Sequence, residues 1–553
     1  MKKNNFLEGS FIATFNLVIT KILGMLYVIP FYAIVGTLGG ALYSYAYTLY
    51  SIFLSIGNAG IPNAISKITS EYNAKNMHDA KLRTFKLGKK ILGVISIVAF
   101  IILFIFAKPL ANLILGDLTG GNTIDDVTFV IRAISFALLI IPHLSVTRGY
   151  IQGHKYIETA STSQVVEQIV RIAVILLGSF LFYKIFNASL RLSVGVAVFG
   201  ATVGGLFAYL YLRRKIKDNK KDLDIGVALE KDNVENKEII KKIVYYAVPF
   251  VIIAVVSNIY IFTDMVFVSR TLNFLGFNAE NVEFIASSIS TWGTKINMIV
   301  TSIAMGFTTS LVPTIVTSFH KHNLSDVNKK LNQALKLIYF ISLPMVVGIS
   351  VLATPIWTIF YNTNLYGGKV LSALIWTALT GNLLMIVSNT LQSMNKFKTI
   401  YITNVFGLIL NVLLDFPFMV IFHKLGLDAY LGAIFATVLC NILSVCIGLL
   451  SIKKEYDFKY NELKYTFFKS LIPILFMTLV LIVLNPIYNV IGLSVYNKLH
   501  SIIIVLISTI IGGTIYILTS FKIKLVDDIA KREEINKILK KLTRGKLKLK
   551  ENN

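Results

Sequence analysis

Charged residues are scarce in this chain: of 553 residues, only 15% are Asp, Glu, Lys or Arg. A soluble chain carries about a quarter, so this composition excludes an ordinary water-exposed surface over most of the molecule. Cysteine is nearly absent too. Cys440 and Cys446 stand six residues apart in one apolar run, where a helix points them to different faces, which excludes a disulfide between them. No G-x-x-x-x-G-K-[ST] stretch occurs, which removes a built-in P-loop ATPase. Long polar segments are also missing. The longest internal one, residues 213–242, and the tail after 521 are too short to bury a catalytic core of their own. His320 and His322 have metal-like spacing but sit in a basic loop without further ligands, so a solvated face is expected there. No catalytic triad or metal cluster is present in the pattern, and the reading is of a protein that is not an enzyme and carries no cofactor.

What the chain has instead is apolar length. Hydrophobic residues make up 55% of it, and the mean hydropathy is +0.69. Runs of roughly 20 apolar residues, enough to cross ~30 Å of hydrocarbon, recur from end to end. They define an all-α polytopic membrane protein with about fourteen spans, near 11–35, 40–66, 88–107, 127–147, 159–183, 190–212, 243–269, 284–318, 333–354, 370–393, 399–421, 429–452, 470–490 and 499–520. Each must be a helix, because its backbone groups find no water in the bilayer core. Ile22 to Ser66 has no charge but is too long for one span, and Gly36, Gly39 and Gly40 supply the turn. The first span is too long for a signal peptide and has no small-residue cleavage site, so it is expected to be retained.

The formal net charge of +25 invites a nucleic-acid reading, which its distribution removes. With the N-terminus placed inside, 43 Lys and Arg fall on the cytoplasmic side and 7 outside, the remaining 4 lying within spans. That is the positive-inside pattern; it puts both termini in the cytoplasm and turns the basic tail, KLTRGKLKLK, toward anionic lipid headgroups.

The chain also repeats itself. GIPNAISK at 60–67 and AKP at 107–109 are echoed by SLVPTIVT at 310–317 and ATP at 353–355, and YIQGHKY at 150–156 by TLQSMNKF at 390–397. The offsets are 251 (Pro62 to Pro313), 246 (Pro109 to Pro355) and 240 (Gln152 to Gln392). Six spans separate each pair, so the copies run parallel. The expected organisation is an N-terminal six-helix lobe with its cytoplasmic linker over 1–240, a second lobe over 241–453, two appended helices over 454–520 and a basic tail over 521–553. Two such lobes around a cavity are the usual plan of a rocking transporter.

Charges inside spans carry the functional information, since each costs roughly 2.5–3.5 kcal/mol to insert. They are Lys21, Arg132, Arg171 and Lys295 against Glu167, Asp264 and Asp415. At 100° per residue Gln164, Glu167, Gln168 and Arg171 form one polar stripe at the middle of the fifth span. Glu167 and Arg171 either pair at i, i+4 and lock packing, or Arg171 lines a cationic cavity with Glu167 holding its side chain. In the eighth span Ser287, Thr291, Thr294, Lys295, Met298 and Ser302 fall on a similar stripe, and Lys295 has no carboxylate one turn away, which points to cavity lining. Lys21 likewise has no carboxylate one turn away in its own helix and either joins that cavity or snorkels. Arg132, near the outer end of its span, reaches the interface. Asp415 shares a face with Asn404 and Asn411, Asn411 matching Arg171 in the repeat. Asp264 either pairs with a cation or holds a coupling ion.

The stretches GIPNAISKITSEY (60–72), RGYIQG followed by SQVVEQIVRI (148–172), and TSLVP (309–313) resemble the SpoVB/YtgP group of bacterial polysaccharide-type exporters, related to MurJ-type lipid II flippases in the MOP exporter superfamily. The resemblance runs from about residue 11 to 520. It implies fourteen helices in two lobes forming a V, and transport of undecaprenyl-diphosphate-linked cell-wall precursors, with the polyprenyl tail in a groove beside the last two spans. TKILG (20–24) resembles the Ser-Arg-Val-Leu-Gly of MurJ-type first helices, which puts Lys21 at a functional cation. Those proteins follow it with an Arg-Asp pair where this chain has Tyr27 and Val28, and have cations where it has Leu54 and Ser55. Lys295 lies within about one residue of their eighth-helix arginine. On this resemblance the substrate-binding residues are Lys21, Arg171, Lys295, Gln164, Gln168 and Thr291, and the structural or coupling residues are Glu167, Asp264, Asp415, Asn411 and Arg132. The implied function is a lipid II flippase working by alternating access, coupled to membrane potential or to H+ or Na+, with membrane lipids and the cell-wall synthesis machinery as partners. Exporters of teichoic-acid, capsule or sporulation precursors and a MATE-like drug/cation antiporter are the alternatives; the antiporter calls for a cavity dominated by acids.

Overall fold

The computed structural model describes residues 6–58, 60–225 and 230–529, among which only helices and their connections occur. In chain order the helices are α1 Phe6–Leu26, α2 Val28–Asn58, α3 Ile61–Ala74, α4 His78–Ile105, α5 Ala107–Leu115, α6 Ile124–Ser135, α7 Ala137–Gly153, α8 Ile157–Ala173, α9 Leu190–Asp218 and α10 Asn236–Phe274. They continue with α11 Ala279–Ser287, α12 Gly293–His320, α13 Leu324–Val351, α14 Ala353–Tyr361, α15 Gly367–Ser393, α16 Phe397–Lys424, α17 Tyr430–Tyr456, α18 Asn461–Val490 and α19 Lys498–Lys522. Among the described residues twelve helical stretches are long and apolar enough to cross a bilayer. The first passage, α1 with the opening turns of α2, and the eighth, α11 with α12, make up the fourteen expected from the sequence. The basic tail lies outside the described residues.

The turn expected from the glycine cluster falls at Gly36, whose φ of 68° lies in the left-handed region. It divides α2 between the first and second passages. Several helices run past the hydrocarbon. The basic loop expected at 67–90 is only three residues long, Lys75 to Met77, because α3 and α4 continue as helix beyond their apolar runs. Lys81 is accordingly buried and pairs with Asp224 at 2.5 Å. The 213–242 linker is tied to α4 and α7: the Arg83 guanidinium donates to the Val234 carbonyl at 2.6 Å, and the Tyr150 hydroxyl to the Leu223 carbonyl at 2.7 Å.

The internal repeat is carried element by element. α4 and α13 are both 28 residues long and start 246 positions apart, at His78 and Leu324. Each is followed by a nine-residue helix, α5 or α14, at the same offset, and each short helix ends on a residue with positive φ, Gly116 at 62° and Asn362 at 64°. Further on, Lys155 and Asn395, 240 positions apart, take φ of 69° and 59° before α8 and α16 begin. The offsets drift as the sequence pairs do.

Packing divides the chain at other points than the repeat does. One unit takes in the chain through Lys295 together with Leu408–Ala433; the other comprises Ile296–Gly407 and Ile434 onward. In the first unit, small residues allow close helix crossings, the usual basis of helix association in lipid. At Gly149 of α7 a β-carbon would stand 2.4 Å from the Pro62 carbonyl oxygen, and at Gly204 of α9 2.6 Å from the Glu167 carbonyl oxygen. In the second unit α13, α18 and α19 pack together, the Tyr516 hydroxyl donating to the Phe340 carbonyl at 2.7 Å. Because backbone cannot yield as a side-chain tip can, Gly149→Ala is expected to lower the yield of monodisperse protein and its melting temperature in detergent, at a cost of about 1–3 kcal/mol; an unchanged melting curve would contradict the close crossing.

Candidate functional site

The fifth passage begins as regular helix, and the polar stripe expected along it forms. α8 packs against α1, where Asn16 Nδ2 donates to Ser161 Oγ at 2.9 Å and Gln168 Nε2 lies 3.3 Å from where a Gly24 β-carbon would stand. On its other side Gly200 and Gly204 of α9 bring the backbone of Glu167 and Arg171 close. Gln164, Glu167, Gln168 and Arg171 are all part-buried. Lys21, on α1, is part-buried as well.

Glu167 and Arg171 do not pair. The Glu167 carboxylate accepts from Arg148 Nη2 at 2.8 Å, while Arg148 Nε donates to Ser163 Oγ at 2.7 Å. Sequence had placed Arg148 in a cytoplasmic loop, but α7 continues through it to Gly153 and buries it. The carboxylate expected to hold Arg171 therefore neutralises a different arginine. A buried charge left without its partner is destabilising by about 3–5 kcal/mol.

Arg171 lies among tyrosines. Its guanidinium carbon stands 5.3 Å from the centre of the Tyr47 ring, and Nη2 donates weakly to the Tyr43 hydroxyl at 3.4 Å. Lys295 Nζ approaches the same Tyr47 ring at 5.4 Å and the Tyr27 ring at 5.8 Å. Tyr43, Tyr47 and Tyr50 stand at i, i+4 and i+7 of α2 and so share one face. Tyr43 stacks on Tyr47 with centroids 5.8 Å apart and on Trp292 at 5.9 Å. Tyr27, Tyr43, Tyr50 and Trp292 are buried; Tyr47, Arg171 and Lys295 keep part of their surface open. Among the described residues neither Arg171 nor Lys295 forms an ion pair. Sharing one ring puts the two charges within about 11 Å of each other, so they repel by at least about 1.5 kcal/mol at an effective dielectric near 20. The signal for this cage was in the sequence: YSYAYTLYS, residues 43–51, has four tyrosines in nine residues of an expected span.

The stripe expected on the eighth passage is altered by a π-helical turn at Ser288–Trp292. Such a turn takes an extra residue, so side chains beyond it are rotated relative to a regular helix. Ser287 and Thr291 are buried, and Thr291 Oγ1 lies 2.6 Å from Ser44 Oγ. Thr291, expected to touch substrate, is instead engaged in holding α2 against this turn. Thr294 and Lys295, past the turn, keep their open surface.

The remaining residues lie elsewhere. Arg132 is exposed in the last turn of α6 and donates to the Phe104 carbonyl at 3.3 Å. Asp264 of α10 and Asp415 of α16 are buried neighbours close enough to share a hydrogen bond, and Asn411 Nδ2 donates to Asp415 Oδ1 at 2.9 Å. Two further contacts were missed: Glu283, one residue before the expected eighth span, is fully buried and accepts from the Asn122 backbone N–H at 2.6 Å, and Arg270 donates to the Asn112 carbonyl, also at 2.6 Å. Among the described residues no group of three or more His, Cys, Asp or Glu is placed to hold a metal ion. In the second unit, Phe340, Met345, Leu352, Met477, Leu481 and Ile517 line an almost wholly apolar groove of about 390 Å³ between α13, α18 and α19.

Known proteins bear on this arrangement. The family model described as polysaccharide biosynthesis protein matches residues 6–274, and the MatE model matches residues 285–416. The chain is 31% identical over 541 residues to the lipid II flippase MurJ of Bacillus subtilis (strain 168), covering 96% of this chain and 97% of that protein. It is 24% identical over 364 residues to stage V sporulation protein B of the same organism, covering 66% and 68%. Its fold matches a solved lipid II flippase MurJ in an inward closed conformation, with a TM-score of 0.61 and 17% identity over 92% of this chain and 98% of that one. We expect Glu167→Ala to destabilise the protein by about 3–5 kcal/mol and the Arg148→Met/Glu167→Met double substitution by clearly less; chemical or thermal unfolding that ranks the double variant below the single one would contradict the pairing.

Proposed function

Since this chain belongs to the MurJ-type branch of the MOP exporter superfamily, a group of multi-pass membrane transporters and not of enzymes, we infer that it carries undecaprenyl-diphosphate-linked peptidoglycan precursor, lipid II, from the inner to the outer leaflet of a bacterial cytoplasmic membrane. The observation that carries this reading is the pair Arg171 and Lys295, set within membrane passages beside one partly open tyrosine ring and without a carboxylate among the described residues. Uncompensated cations at that depth suit a substrate that brings its own negative charge. A diphosphate with a sugar–peptide headgroup is such a substrate, and moving it bare through hydrocarbon is prohibitive because its charges and hydroxyls lose their water. Lys21, Gln164 and Gln168 supply further polar contacts. The apolar groove between α13, α18 and α19 suits the polyprenyl tail. The lobes of the repeat are the bodies that rock in alternating access.

The Lys and Arg distribution supports cytoplasmic termini. With that orientation an inside-negative potential favours outward movement of anionic headgroup by about 2.3 kcal/mol per charge per 100 mV, roughly 4.6 for two charges. Asp264, Asp415 and Asn411 form the reading's coupling site. Two carboxyls sharing a buried position repel unless a proton or small cation accompanies them, and oxygen donors of this kind suit H+ or Na+. The likeness to a sporulation protein keeps precursors of the spore cortex as the second substrate reading.

In cells depleted of their own lipid II flippase, Arg171→Ala and Lys295→Ala are each expected to abolish growth rescue while reaching the membrane in normal amounts; rescue by both would remove these residues from the mechanism. The direct measurement is accessibility of lipid II at the outer face with and without the protein. Asp415→Asn is expected to slow that appearance and to remove its dependence on an imposed Na+ or proton gradient, and retained dependence would exclude the carboxyl pair as the coupling site.

A further inference from the structure

We propose that Tyr47 is the positioning residue that makes Arg171 and Lys295 into a single two-point clamp, selective for a diphosphate over a monophosphate. The inference deepens the reading above and rests on it for the lipid that bears the diphosphate.

The geometry is specific. One aromatic ring receives both cations at nearly equal range, the guanidinium at 5.3 Å and the ammonium at 5.4 Å. The negative face of a π system attracts a cation without neutralising it. A carboxylate in the same place would attract both charges more strongly, but it would also occupy the donors that an incoming anion needs. Tyr47 therefore offsets part of the repulsion between the cations and leaves their charge available. Its neighbours fix its orientation. Tyr43 stacks against it at an interplanar angle of 15°, and Tyr43 is in turn held by Trp292 and by Tyr27, whose hydroxyl lies 3.3 Å away. Of the tyrosines around the two cations, Tyr47 alone keeps open surface, so its ring borders the space where the anion would arrive.

Two separated cations favour an anion that can reach both. A diphosphate spreads its charge over two phosphoryl groups and can do so; a monophosphate presents one. Removing the ring frees Lys295, whose ammonium sits on a flexible stem, and the two-point preference goes with it.

The test uses the full-length protein in nanodiscs of neutral lipid, titrated calorimetrically with inorganic pyrophosphate, orthophosphate and farnesyl diphosphate. Wild type is expected to bind pyrophosphate at least about tenfold more tightly than orthophosphate, and Tyr47→Leu to lose that preference to within about threefold. Tyr47→Phe should keep most of it, because the ring remains. Replacing Tyr47 by phenylalanines carrying one, two and three fluorines should weaken pyrophosphate binding stepwise, since fluorine withdraws density from the ring face; a merely structural role would not follow that series, and these near-isosteric variants carry the test if Tyr47→Leu fails to fold. Tighter binding of farnesyl diphosphate than of pyrophosphate supports a lipid-borne anion; weaker binding overturns that part and leaves a clamp for a free diphosphate. If Arg171→Ala and Lys295→Ala lose pyrophosphate while Tyr47→Leu and the fluorine series bind as wild type, the positioning role is overturned and the headgroup reading stands. If wild type binds no diphosphate, both fall.

Discussion

The placement of one carboxylate decides what the centre of the first unit can do. Glu167 is joined to Arg148 at 2.8 Å, and everything distinctive about Arg171 follows from that choice of partner. Had Glu167 closed on Arg171 one turn away, α8 would present a neutral pair and α7 a buried arginine without compensation, which the bilayer would penalise by several kcal/mol. The observed pairing does two things together. It ties α7 to α8 through the only acid on the stripe, and it leaves Arg171 with tyrosine faces for company. Charge neutrality is met where the helices pack and withheld where the surface is open.

The same logic sets what could be foreseen from the sequence. The helix count, the turn at Gly36 and the parallel repeat depend on properties that survive as strings: apolar length, a glycine that must take positive φ, and slowly drifting offsets between echoed motifs. Those are local or additive, and α4 and α13, 28 residues each and 246 apart, show how closely the repeat keeps them. The polar stripe of the fifth passage was legible because α8 stays regular through Arg171. The stripe of the eighth was not, because the π-turn at Ser288–Trp292 breaks the 100° rule on which the projection rests. Glu167's partner was out of reach for a different reason. Arg148 stands 19 residues away on another helix, and no periodicity within one helix reveals a contact between two. The tyrosine cage stood in plain view at 43–51 but carries no charge, and a search confined to intramembrane ions passes over it.

The two copies of the repeat have diverged in sign. Arg171 in the first copy corresponds to Asn411 in the second, 240 residues on, and where the first gathers cations around aromatic rings, Asn411 stands beside Asp415, with Asp264 as its neighbour. Both sites belong to the same packed unit, since Leu408–Ala433 clusters with the chain through Lys295. Parallel duplication supplies two equivalent polar positions, and substitution has left one lined by cations and the other by carboxyls. Lys295 itself stands 251 residues after Ser44, the offset of the surrounding motif, so the second cation was added in one copy only.

Tyrosine is well suited to hold such cations because it binds without cancelling. A carboxylate partner lowers the insertion cost of a lysine or arginine, but a substrate phosphate must then displace it and leave the acid buried and bare. An aromatic face contributes less, on the order of 1–2 kcal/mol where water is excluded, and nothing has to be displaced when the anion arrives. Tyr47 sits where both demands meet, one ring approached by two like charges. Tyr27 also lies beside Lys295, its ring centre 5.8 Å from the ammonium. That ring adds another π face to the cation cluster, whose support among the described residues is aromatic and not ionic.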